Sequence, residues 1–456
     1  CMWSRALPVF RRSFLHVNRA YSARVPLTQD TTLSSGIRVA TEAKAGQTAA
    51  ISVIVNTGSG HETEKNNGIA HFLEHLAFKG TSKRSKHQLE LEIENMGGTL
   101  NAFTSREHTV YIAKVFKHDV DNAVDILSDI LQHSKYDPKD ITYEKGVVLR
   151  EMEEVNKNVE EFAMDHLHEI AFAGSSLGYT ILGPQKNIEN FTREGIVEYV
   201  NSYYTCNRIA VVGAGAVDHD HLMALTNEKF VSLKESSPQD LCTLPDAKFI
   251  GAYRNLQSDI CAKNYGVLAY RGASWSSGEM IPLLVIQTLI GTFDAHMGVG
   301  NQLFSNLAHR VAASNPNCEA IKSFITSYDT TGLVGCSFST AEVDVEQLVK
   351  TMTLEYSSLA KTLTENDVSR AKHRLKASMA MMYDGVVPVC EDMGRQLLTI
   401  GRRVPLQEFF DRIDAVDLEV VRNTCIRHFV DTNPAIVTVG NVKDLDYDKI
   451  NTWSKW

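Results

Sequence analysis

The segment NRIAVVGAGAVDHDHLMAL, residues 207–225, sets an apolar strand, a glycine turn and a helix onset in one line. Near the other end of the chain, NPAIVTVGNVKDLDYDKI (433–450) repeats that order about 226 positions later, within a residue of slack. A matched pair at a domain-sized interval predicts a duplicated domain, since a solenoid repeats every roughly 20–50 residues. The 456 residues also exceed one ordinary core. Between the two copies, KESSPQDLCTLPDAKF (234–249) has two prolines, polar residues and no sustained period, and reads as a connection. The expected division is a first domain over 22–234, a linker over 235–249 and a second domain over 250–456.

VVGAGAVD is not a dinucleotide fingerprint, because Asp218 stands where G-x-G-x-x-G needs its third glycine. Upstream, AAISVIVNTGSG (49–60) reads as a buried strand ending in a turn, and the apolar positions that follow take a helical period. GGTLNAFTSREHTVYIAKV (97–115) alternates and breaks at SREH, predicting two strands with a short connection. One long helix is expected from about Pro138 to Phe172, with Gly174 as its stop. Strands and helices mix without regular βαβ alternation, so the class is α+β.

A net charge of −9 excludes the basic face of a nucleic-acid binder. The longest apolar run, MIPLLVIQTLIGTF (280–293), is too short to span a bilayer and reads as a buried helix, so no direct membrane span is expected. No two of the eight cysteines form a C-x-x-C pair, and their scatter fits free thiols in a reducing compartment. Residues 1–21 carry arginines at 5, 11, 12 and 19 and no acid; they read as a mitochondrial presequence, with NRAYSA placing the mature start near Ser22.

GIAHFLEHLAFKG (68–80) puts two histidines and a glutamate into five consecutive positions of an apolar segment. Positions i and i+4 share a helix face, so His71 and His75 can bring two imidazoles to one point, with Glu74 beside it. This is the inverted zincin order H-x-x-E-H. Catalytic zinc usually takes three protein ligands. The long helix offers Glu151, with Glu144 seven residues earlier on about the same face. Such a centre, net positive, would lower the pKa of a coordinated water to about 7. Of the remaining histidines, His166 and His168 point to different helix faces and His219 and His221 sit in a turn; both pairs read as surface residues.

The sequence H-F-L-E-H, followed by the glutamate of VVLREMEEV, resembles the pitrilysin-type zinc metallopeptidases. The resemblance implies one Zn2+ on His71, His75 and Glu151, Glu74 as general base and Glu144 as a supporting acid. It also implies a fold of two homologous domains, each a mixed, mainly antiparallel sheet flanked by helices. ILGPQKNIENFTREGIVEYVNSYYT and SFITSYDTTGL narrow the resemblance to the β-type chains of the mitochondrial processing peptidases, over residues 35–456. That group implies that Glu161 and Asp165 bind the arginine just before the cut, and that Phe78 accepts the residue after it. The edge strand TLNAFT (99–104), with Asn101 and Ala102 at its centre, would pair with the extended peptide. Glu189 and Glu194 are candidates for more distant basic residues, and Tyr328 for a contact from the second half.

The second half has no H-x-x-E-H and is expected to be a non-catalytic copy; the implied partners are presequence peptides and an α subunit, and the glycine-rich loop that marks the latter is missing here, GVGNQ being too short. The implied location is the mitochondrial matrix, or the matrix face of the inner membrane. The alternative is a structural core subunit of respiratory complex III, which shares this ancestry, and both roles can coexist in one protein. A broad-specificity peptide-degrading relative is a third reading.

Overall fold

The computed structural model describes residues 27–236, 244, 246–258, 263–296, 307, 310, 314, 315 and 317–455. The expected presequence, most of the linker and GVGNQ lie outside the described residues. Two six-stranded sheets form among the residues described. The first holds β1 (Thr28–Thr32), β2 (Arg38–Ala43), β3 (Thr48–Val55), β4 (Thr99–Thr104), β5 (Thr109–Phe116) and β6 (Ile209–Gly215), in the order β1-β2-β6-β3-β5-β4. The second holds β7 (Tyr253–Gln257), β8 (Asn264–Arg271), β9 (Thr292–Asp294), β10 (Cys318–Ser327), β11 (Gly332–Thr340) and β12 (Ala435–Gly440), in the order β7-β12-β8-β11-β10-β9.

Only β2–β6 and β7–β12 are parallel; the other pairings are antiparallel. The repeat at 207 and 433 is therefore the same strand of each sheet, β6 and β12, every residue of which is buried. Both strands end on a glycine in the left-handed region, Gly215 at φ 95° and Gly440 at φ 119°. A side chain is strained there, which is why the two copies share the glycine turn.

The expected long helix is two helices, Pro138–Lys157 and Val159–Ala171. Asn158 leaves the helical region at ψ 97° and its side chain accepts from the Glu160 and Glu161 N–H groups. An asparagine offers the backbone this local alternative, so apolar periodicity continues through a point where the helix does not. The second half repeats the pair as Glu365–Met382 and Val386–Thr399.

The break lets the later helix of each pair cross to the other half. Val159–Ala171 sets Ala163, Leu167 and Ala171 against Tyr265, Val267 and Val437 of the second sheet. Val386–Thr399 sets Val389, Cys390, Met393 and Leu397 against Ala50, Ile54 and Val212 of the first. Each sheet thus has one face covered by its neighbour's helix, and its other face packs on helices of its own half.

Three sequence expectations are corrected, the first two by this exchange. His168 is buried rather than on the surface, because its helix is sandwiched between the halves, and its Nε2 lies 2.7 Å from the Tyr328 hydroxyl. Tyr328, expected as a substrate contact from the second half, is buried against that histidine. His219 is also buried, in the first turn of the helix His219–Lys229, with Thr31 and Thr41 hydroxyls 3.0 Å from its ring nitrogens. His166 is half-buried and His221 exposed.

The apolar run at 280 forms a buried helix, Met280–Ile290. No helix among the described residues is long and apolar enough to cross a membrane. The described cysteines, at 206, 318, 336, 390 and 425, are free and buried.

Candidate metal centre

Helix Ile69–Ala77 runs under the first sheet with Ile69, Phe72, Leu73 and Leu76 in the core. Its polar members emerge on the opposite side. His71 and His75 stand one turn apart, their ring centroids separated by 4.8 Å. Their Nε2 atoms face the two oxygens of one carboxylate: His71 Nε2 lies 3.6 Å from Glu151 Oε1, and His75 Nε2 lies 3.0 Å from Glu151 Oε2. Among the described residues these three side chains are the group whose donor atoms converge, all within 4.8 Å of one another.

The donor set fits a divalent metal. Zinc with N and O ligands at 2.0–2.2 Å in tetrahedral geometry holds its donors about 3.3–3.6 Å apart, close to the separations found here. Two neutral imidazoles and one carboxylate suit zinc better than magnesium or calcium, which prefer oxygen-only shells. A buried carboxylate also stands behind one ring, with Glu144 Oε2 3.2 Å from His75 Nδ1, as metal-binding histidines usually require. Glu144 is itself held by Lys79, whose Nζ lies 2.7 Å from Oε1 as an ion pair without hydrogen-bond angles.

The charges lean on one another. Hydrogen bonds to His71 and His75 hold Glu151 well below the usual carboxylate range. Burial alone would depress His75, but Glu151 and then Glu144 outweigh it and raise its pKa above the ordinary value.

Glu74 is half-buried on the same helix, and its Oε2 accepts a 2.6 Å hydrogen bond from Thr104 Oγ1. Thr104 ends β4, the outermost strand of the first sheet, which pairs on one side with β5. Along that strand Asn101 is exposed and Ala102 buried, and its last residue, Thr104, is the one that meets the Glu74 carboxylate. Phe78 follows the helix and packs, half-buried, at the margin of the first core.

The other expected contacts are disposed unevenly. Glu161 is exposed and accepts from the Asn158 amide. Asp165 is already paired: Arg106, from the turn between β4 and β5, donates to its Oδ1 at 2.8 Å while also donating to the Leu177 carbonyl. Its second oxygen accepts from Thr180 Oγ1 at 3.4 Å, and Asp165 borders a cleft of about 350 Å³ lined also by Met152, Phe162, Tyr179 and Thr180. Several acids of this stretch are likewise neutralised, Glu154 by Lys157, Glu160 by Lys322 and Glu169 by Arg254. Glu189 and Glu194 are exposed. Sequence reasoning missed Thr104, Lys79 and Arg106, since each acts through a contact that no spacing announces.

Two family descriptions match the chain: Insulinase (Peptidase family M16) over residues 38–185, and Peptidase M16 inactive domain over residues 190–375. The mitochondrial-processing peptidase subunit beta of Bos taurus is 41% identical over 433 residues, covering 95% of this chain and 88% of its own. The human subunit beta is 42% identical over the same coverage, and a probable subunit beta of Arabidopsis thaliana is 41% identical over 94% of this chain and 82% of its own. Among solved structures, a chain of complex III2 from Candida albicans, with Inz-5 bound, superposes with a TM-score of 0.84 at 23% identity, over 94% of this chain and 100% of that one. A protease from Helicobacter pylori gives 0.81 at 19% identity, over 91% and 99%. At those identities the likeness is one of fold.

Proposed function

The chain belongs to peptidase family M16, and from that membership we propose that it is a zinc metalloendopeptidase that removes arginine-containing presequences from proteins imported into mitochondria. The observation that carries the proposal is the pair of Nε2 atoms facing the two oxygens of Glu151. The subunit beta relatives support the substrate class and the mitochondrial location. As subunits, those relatives imply a second chain, and in this reading it is an α subunit in the matrix.

In this reading His71, His75 and Glu151 hold one Zn2+, which when bound supplies the Lewis acidity that polarises the scissile carbonyl. Glu74 takes a proton from the attacking water and returns it to the leaving nitrogen. Thr104 keeps that carboxylate turned toward the peptide. Glu144 fixes the His75 ring through Nδ1, and Lys79 balances its buried charge.

The substrate lies along β4 at Asn101 and Ala102 as an added strand, a mode in which backbone hydrogen bonds give affinity and read little sequence. Side-chain selection falls to Glu161 and Asp165 for the arginine before the cut, and to Phe78 for the residue after it.

The test compares wild type with Glu74→Gln on an arginine-containing precursor, with the partner subunit supplied. Loss of the base should cost about 10²–10⁴-fold in rate, and equal cutting would exclude the assignment. Membership of a respiratory complex III assembly is the second reading. The likeness to the Candida albicans complex III2 chain is one of fold, and the intact donor set favours hydrolysis over a purely structural role.

A further inference from the structure

The helix that carries H-x-x-E-H begins without a cap of its own. Its N-cap is Gly68, in the left-handed region at φ 99°, with no side chain to accept from the first turn. The position is closed to one: a Cβ on Gly68 would come within 2.4 Å of the Leu182 carbonyl oxygen. Yet the first N–H groups of a helix need partners when buried.

Glu62, six residues upstream and 4% exposed, supplies them. Its Oε2 accepts from Gly68 N at 2.7 Å and from Asn67 Nδ2 at 2.8 Å, and its Oε1 accepts from Ala70 N at 2.8 Å. Asn67 spends its second amide hydrogen on the Thr180 carbonyl at 2.8 Å, which ties the cap to the loop that presses on Gly68. Burial pushes Glu62 up to about 7 although these three hydrogen bonds favour its ionised form. The positive end of the helix dipole favours that form too.

We propose that Glu62 is a positioning residue for the metal centre: it sets the rotation and pitch of the first turn, and with them the aim of His71 and His75 at Glu151. The bond to Ala70 N falls one residue before His71, so any turn of the helix about its axis moves the ligand face directly. The inference rests on the reading that these three side chains bind a metal.

The experiment uses the full chain with its partner subunit, and reads zinc affinity by competition with a chromogenic chelator, alongside kcat, KM and Tm. Glu62→Gln keeps shape but presents an amide N–H to at least one donor it must accept from. Its zinc affinity should fall about 10–100-fold, the range for residues that orient metal ligands, with kcat reduced and KM for a presequence peptide unchanged. Val124→Ala, a core variant of the same half, should lower Tm and leave zinc affinity as in wild type. Affinity within twofold of wild type in Glu62→Gln, or an equal loss in Val124→Ala, overturns the proposal. Should Glu62→Gln not fold, Asn67→Ala decides: several-fold weaker zinc binding supports the role, and unchanged binding overturns it. A wild-type protein that takes up no zinc refutes the metal reading itself, whatever the variants do.

Discussion

The two halves share a strand order and differ in what they do with it. In the first, the helix after the central antiparallel strand β3 is IAHFLEHLA, with three ionisable groups turned to one side. In the second, the helix after β8 is MIPLLVIQTLI, in which Ile281, Leu283, Val285, Ile286, Leu289 and Ile290 are all buried and no residue ionises. Rims diverge in the same way. β4 pairs only with β5 among the described residues, whereas β10 is covered on its outer side by β9, through Ala320–Asp294, Ile321–Phe293 and Lys322–Thr292. The duplicated fold therefore demands the alternating core and the glycine turn, and nothing more. The convergent ionisable groups stand on one copy, with an open edge beside them; the other copy closes its edge and braces the first through the exchanged helices.

Bracing makes the largest prediction. If the halves are one cooperative unit, Leu167→Ala, which loosens the first half's helix on the second sheet, and Met393→Ala, which loosens the reciprocal contact, should each cost about 2–5 kcal/mol and lower a single shared Tm. Two separable transitions in calorimetry, with each variant moving only one, would show that the halves fold independently. Next in size is the charge recognition on the first half: Ala at both Glu161 and Asp165 should remove about 1.5–3 kcal/mol of preference for arginine over citrulline before the cut, read as the ratio of kcat/KM. An equal loss on both peptides would leave the preference unexplained.

The open rim gives a smaller effect. N-methylation of one substrate amide facing β4 should raise KM by the worth of one hydrogen bond, about 0.5–1.5 kcal/mol, and methylation of the neighbouring outward amide should not. Indifference to both would remove the added-strand mode. Smallest is a pH effect at the seam, where Glu107 Oε1 accepts from Asp329 N at 2.6 Å. Burial, offset only in part by hydrogen bonds, lifts Glu107 to about 7 from an ordinary value of 4.5. A carboxyl raised on folding binds more protons folded than unfolded between those values, so its stabilising contribution declines as pH rises through that window. Glu107→Gln should flatten this part of the stability curve against pH, measured by urea unfolding; an unaltered slope would mean the carboxyl does not titrate there.

Much of this was readable in the residues because it is local or periodic. The repeat of β6 in β12 survives as an apolar run and a glycine, and the imidazoles at 71 and 75 are neighbours on any helix. Glu151 needed the resemblance to choose it among the acids of its stretch. What was hidden depends on contacts between distant elements. Asn158 looks like one more polar residue in a helical period until its side chain caps the next helix. His168 and Tyr328 read as exposed or substrate-facing because the helix exchange that buries them leaves no mark in sequence. Arg106 on Asp165, Thr104 on Glu74 and Glu62 on the helix start are pairings set by tertiary approach.

The most direct test is anomalous diffraction at the zinc edge from crystals of the chain with its partner subunit. The account predicts one zinc per chain, bonded to His71 Nε2, His75 Nε2 and a Glu151 oxygen, and no such peak in the second half. A metal bound elsewhere, or a wild-type protein that cleaves presequences with no metal at these three side chains, would contradict it.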